Sequence, residues 1–187
     1  MHGEYSIEKK SKQGQQRMTN DISASQSRLG SADLEASASG PLAYEQIRNV
    51  VFRETTAFDS GAESEHAACF SDDVRFISTY LGPDGTRLER RNLAGKSNVI
   101  ELMRKHRKSL PLHCKHVLSS PVIHISGAHA TCVTQLFRID QTESGPKIVS
   151  FGQYVDDLRW DRSNGWLISQ RVLEGEVSGP PPKAAGA

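Results

Sequence analysis

From His116 onward the sequence settles into a period of two, and four alternating runs follow one another with no helical stretch between them. They cover residues 116–125, 130–139, 148–160 and 166–173. Ser126-Gly127 and the stretches 141–146 and 161–165 separate them and carry the Gly, Asn, Asp and Pro of hairpin loops. Consecutive strands on such short connections pair antiparallel. Pro121 has no N–H for a ladder, so the first run is an edge strand or carries a bulge. One long antiparallel meander therefore closes the chain.

Upstream the spacing is helical. Tyr44, Ile47, Val51 and Phe58 form one stripe over residues 42–58, behind Pro41. A short helix over 62–70 and a third over 96–106 follow, the last with Val99, Leu102, Met103 and His106 on one face. Val74, Phe76 and Ser78 alternate with Arg75 and Ile77 as a first strand. Residues 86–91 form a charged, irregular strand after the Pro83-Asp84-Gly85 turn. Helices first and a meander afterwards predict an α+β domain, with a strongly curled sheet burying both faces around the helices and enclosing a pocket.

Composition restricts the functions open to this domain. Residues 1–40 hold eight serines and a single aromatic, Tyr5, too little apolar surface to offset ordering entropy. They read as a disordered extension, and 177–187, with its prolines and alanines, as a disordered tail. The folded part, 41–176, suits one core. Lys plus Arg (23) nearly balances Asp plus Glu (22), without a basic block for nucleic acid. Neither a membrane-length apolar run nor an apolar signal core appears. Cys69, Cys114 and Cys132, an odd number, favour reduced thiols and a cytoplasmic location.

Asp59 and His116 are the residues most suggestive of chemistry. A carboxylate at a helix C-terminus opposes the helix dipole, so Asp59 points to another use. An imidazole whose tautomer is fixed by a carboxylate abstracts protons at neutral pH. His113 and Cys114 beside His116 invite a metal reading, but His113 and His116 would point to opposite faces of a strand; no metal is expected. No glycine-rich phosphate loop is present, and no cofactor is expected.

This order of elements resembles the SnoaL-like branch of the nuclear transport factor 2-like superfamily, a cone-shaped α+β barrel. Within it the resemblance is to the group of hexachlorocyclohexane dehydrochlorinase, scytalone dehydratase and bile-acid dehydratase. Four landmarks carry it over residues 42–175: Asp59 before a second helix and Asp72-Asp73; Gly95 opening the third helix; His116 starting the next strand; and the hairpin from Gly152-Gln153-Tyr154 through Gly165-Trp166 to Gln170-Arg171. The resemblance implies that Asp59 and His116 are catalytic and that Arg171 is a pocket arginine. It implies a homodimer or homotrimer as well. Glu54 stands near where some dehydrochlorinases carry a lysine, which argues against dehalogenation. The segment 80–93 is longer and more charged than the family pattern.

The expected chemistry is a cofactor-independent lyase or isomerase: dehydration, double-bond migration or cyclisation. His116 takes a proton from carbon, Asp59 holds the imidazole, and Arg171 or Tyr154 stabilises or protonates the developing oxyanion. Strand parity proposes Phe76, Ser78, Cys132, Thr134 and Ser150 as substrate-binding wall residues. Such walls suit a small hydrophobic polyketide-, terpenoid- or steroid-like substrate. The alternative is a non-catalytic ligand-binding or assembly module, such as the small subunit of a ring-hydroxylating dioxygenase.

Overall fold

The computed structural model describes residues 40–82, 84–111 and 113–176. The expected tail and, except for Gly40, the expected extension lie outside them. A long helix, α1 (Gly40–Ser60), and a single-turn helix, α2 (Glu63–Ala67), lead into β1 (Phe70–Leu81) and β2 (Arg87–Ala94). Helix α3 (Lys96–Ser109) precedes β3 (Cys114–Leu118), β4 (Val122–Ser126), β5 (His129–Thr142), β6 (Gly145–Asp161) and β7 (Gly165–Gly175). Among the described residues no helix is long and apolar enough to cross a membrane.

The helices pack against a single strongly curved, mostly antiparallel sheet, with strand order β2-β1-β7-β6-β5-β3 and β4 beside β5. Among the described strands only β1 and β7 run parallel. Ala43, Ile47, Val50 and Val51 form the buried stripe of α1, and Tyr44, expected on it, turns outward. Ile47, Val50 and Val51 meet Val74, Val99, Cys132, Leu158, Trp166 and Ile168 in one core. Gly95, with φ +86°, turns the chain from β2 into α3 in a conformation that side chains rarely adopt.

Three expected boundaries move. The run 116–125 is two strands, β3 and β4, which share one edge of β5 on either side of Pro121. Between them Ser119 exchanges hydrogen bonds with Gln135 through its backbone N–H and its hydroxyl. The second helix shortens because Phe70 pairs with Ile168 and so belongs to β1. The first strand extends in both directions, since β2 and β7 flank it. The sheet also does not bury both faces. Val117, Phe137 and Phe151 stand in one cross-strand row on the outside, each at least 39% exposed.

At Gly152 the backbone of β7 leaves no room for a side chain on β6. A Cβ there would lie 2.2 Å from the backbone oxygen of Glu174, and neither strand can withdraw without losing its ladder. Gly152→Ala should therefore lower the unfolding free energy by about 2–3 kcal/mol. The urea midpoint, compared with wild type, measures it.

Candidate active site

A cavity of about 360 Å³ opens between the concave face of the sheet and helices α1 and α3. Phe58, Phe76, Leu102, Met103, Leu136 and Leu173 supply its apolar walls. His116 reaches it from the start of β3. Asp59 lies behind that imidazole at the end of α1, with both side chains at least 92% buried. One Asp59 oxygen accepts the backbone N–H of His116 at 2.8 Å, and the other stands 2.6 Å from Nδ1.

This two-point attachment fixes the ring. A carboxylate only accepts, so the proton of Nδ1 faces Asp59, and in the neutral ring the lone pair is the one on Nε2. Among the described residues none hydrogen-bonds Nε2. Phe58 packs edge-on against the ring at 5.4 Å and stacks on His106 at 6.0 Å. Arg107 donates to the backbone oxygen of Asp59 at 3.0 Å, satisfying a carbonyl at the helix end. The placement of Asp59 at that end is thus local geometry in service of β3.

Arg171 sits deeper, 1% exposed, in a chain of buried ionisable groups. Its Nε and Nη2 donate to the two oxygens of Asp156 at 2.7 and 2.8 Å, and Nη1 donates to Glu54. Glu54 also accepts from His66 Nε2 at 2.9 Å and from the Thr55 hydroxyl at 3.1 Å. Burial pushes the Glu54 carboxyl up, but the Arg171 charge and the His66 hydrogen bond outweigh it and hold it at about 2. The guanidinium expected as a cation for the reacting group is therefore committed to two carboxylates of the protein. Its outward face lies over the Tyr154 ring, 4.0 Å from the centroid.

Tyr154 lines the cavity, and burial raises its phenol well above the ordinary range, so it stays a proton donor at neutral pH. Its hydroxyl has no partner among the described residues. Ser78 lines the cavity too, with a buried hydroxyl that lacks a hydrogen bond. Phe76 and Ser150 also reach the cavity.

Cys132 and Thr134 do not. Both share the inward face of β5 but are fully buried against each other, Sγ to Oγ1 3.6 Å, below the cavity floor. Parity placed them on the inward face, where both are fully buried in the core rather than on the cavity wall.

Several lining residues escaped the sequence reading: Glu54, Arg90, Arg91, His106 and Arg138. His106 does lie on the α3 face expected to be shared with Val99, Leu102 and Met103, and Glu54 stands near the position where some relatives carry a lysine, but neither was named as a lining residue. Among the described residues no group of His, Cys, Asp and Glu gathers as a metal site.

The Arg171 chain makes two measurable demands. Arg171→Met leaves Asp156 and Glu54 buried without their counter-charge and should cost about 3–5 kcal/mol in equilibrium unfolding. Glu54, lowered from 4.5 to about 2, contributes stability that is complete above pH 4.5 and lost as pH falls through 2. The stability advantage of wild type over Glu54→Gln should therefore shrink on acidification across that window, as followed by urea unfolding at each pH.

The sequence profile of the SnoaL-like domain matches residues 42–172. No curated protein matches the chain. Three solved structures from Novosphingobium aromaticivorans illustrate the likeness in fold. An NTF2-like protein with a cystatin-like fold is 16% identical, with a TM-score of 0.60 over 70% of this chain and 80% of that one. A protein provisionally named a scytalone dehydratase is 18% identical, with a TM-score of 0.56 over 71% and 83%. The β subunit of a provisionally named aromatic-ring-hydroxylating dioxygenase is 15% identical, with a TM-score of 0.62 over 74% and 92%. Such identities speak to architecture alone. Helices held in a curved sheet, and a family profile that covers most of the described domain, lead to one conclusion: the chain belongs to the SnoaL-like family.

Proposed function

We propose that the protein is a cofactor-independent lyase or isomerase in which His116 abstracts a proton from a carbon of a small, largely apolar substrate. The observation that carries this reading is the attachment of His116 to Asp59 through both Nδ1 and the backbone, with the ring on the cavity and Nε2 without a hydrogen bond to any described residue. In the proposed step the C–H electron pair moves toward an adjacent carbonyl or a neighbouring carbon, and the proton passes to Nε2. Asp59 stabilises the imidazolium that forms. In elimination, the pair expels a β-hydroxyl, which leaves as water after taking a proton from Tyr154. In isomerisation, the proton on Nε2 returns to a more distant carbon.

The Ser78 hydroxyl, buried without a partner, supplies a second donor for the developing oxyanion. Arg171 acts through Tyr154 and Glu54 rather than on the substrate, and is a positioning residue here. The scytalone dehydratase likeness is compatible with elimination chemistry on this scaffold. The alternative, an assembly module like a dioxygenase β subunit, gives no reason to desolvate a carboxylate and an imidazole beside an open cavity.

The reaction can be sought without knowing the substrate. A panel of hydrophobic ketones and β-hydroxycarbonyl compounds, incubated in D2O with the protein, should reveal carbon-bound deuterium or loss of water in at least one member. His116→Ala should lower that rate by about two to four orders of magnitude while the circular dichroism spectrum keeps its wild-type shape, although the urea midpoint falls because Asp59 loses its imidazole partner. Exchange that persists undiminished in His116→Ala would remove the base from this site.

A further inference from the structure

The wall of the cavity carries two guanidinium groups, those of Arg90 and Arg91, that no described residue answers. Strand β2 departs from regular pairing between Ser78 and Thr79: Ser78 faces Arg91, Thr79 faces Glu89, and Arg90 is the extra residue. Regular alternation would send Arg90 and Arg91 to opposite faces of the sheet. A two-for-one bulge turns consecutive side chains toward the same side, and bulges of this kind recur beside binding sites. Both arginines line the cavity as a result. Neither has a hydrogen bond or an ion pair with any described residue.

Arg138 joins them from β5 at a second bulge, where β6 inserts Val149 and brings it to the cavity beside Ser150. Its Nη2 donates to Asp140 at 3.1 Å, but its Nε is buried without a partner. The three cations converge on one place. Burial first, and then positive neighbours that include Arg138, Arg91 and Arg90, push His106 below its ordinary pKa. Glu54, the acidic residue of the wall, is already engaged by Arg171 and His66.

From this arrangement we infer that the cavity's ligand is a small organic acid, its carboxylate held by Arg90, Arg91 and Arg138 at the mouth and its apolar body directed inward toward His116. This deepens the proposed function and rests on the same cavity being the substrate site. A planar carboxylate matches the fork of a guanidinium, and two unpaired forks beside a third give the site a preference for a charged group over a neutral isostere. The bulge supplies orientation as well: with the anion fixed at the rim, the carbons beyond it lie along the way to Nε2.

Isothermal titration of the full-length protein with 2-naphthoate, neutral 2-naphthamide and 2-naphthyl phosphate tests this without turnover. Wild type should bind 2-naphthoate on the order of tenfold or more tightly than 2-naphthamide, and added salt should narrow the gap. The double variant Arg90→Gln/Arg91→Gln, at exposed positions, should lose that preference while keeping its affinity for 2-naphthamide. Equal binding of acid and amide, no binding of either at millimolar concentration, or a preference that survives in the double variant would overturn the inference. Tighter binding of the phosphate than of the carboxylate would overturn the assignment to an organic acid. Because the readout is an equilibrium, a failed exchange assay would sink the catalytic reading and leave this one standing. Conversely, His116-dependent exchange with no acid preference would sink this one alone.

Discussion

A guanidinium with almost no access to water governs how this domain is put together. Arg171 sits on β7, Asp156 on β6 and Glu54 on α1, so the buried charges fasten the helix to two neighbouring strands. Desolvating these groups opposes folding unless each finds its partner at good geometry. The helix therefore has one position on the sheet, and a shift along its axis would strand a carboxylate. That single position also delivers Asp59, five residues after Glu54 and more than one helical turn on, to the start of β3. The site geometry is a by-product of where the charges can be satisfied.

Much of this was legible in the sequence because the relevant patterns are local. The period-two runs located β5, β6 and β7, and the helical stripe located α1 apart from Tyr44, whose place Ala43 takes. Pro121 announced an edge, although not that the edge would divide into β3 and β4. Asp59 stood out as a charge on the wrong end of a helix. What stayed hidden depends on the third dimension. Parity put Cys132 and Thr134 on the inward face of β5 yet could not say which inward residues border open space and which are sealed in the core. The bulge at Arg90 leaves no mark that a charged strand lacks, so the stretch 86–91 gave no hint of the cavity. Arg171 looked like a free cation because its partners, Glu54 and Asp156, belong to separate elements.

The cavity divides into two regions of different character. Near His116 the wall is aromatic and aliphatic, with hydroxyls of Tyr154 and Ser78 as the unpaired donors. Toward the mouth the wall is cationic and irregular, built where two ladders slip by one residue. Regular strands supply rigidity, and the irregularities supply aim. A scaffold shared by proteins of such low identity can thus change what it holds by relocating a bulge, without repacking its core.

The one parallel pairing in the sheet has a consequence for how the polypeptide matures during synthesis. β1 lies between β2 and β7, and its partner on the β7 side is made about a hundred residues later, which makes it a slow, long-range closure. While the ribosome is still adding β5 and β6, Phe70 and Val74 have no companion strand on that side. The sheet is completed only at the last hairpin. Nascent chains released before that point carry an open apolar seam, so premature termination yields a client for chaperones rather than a shorter version of the fold.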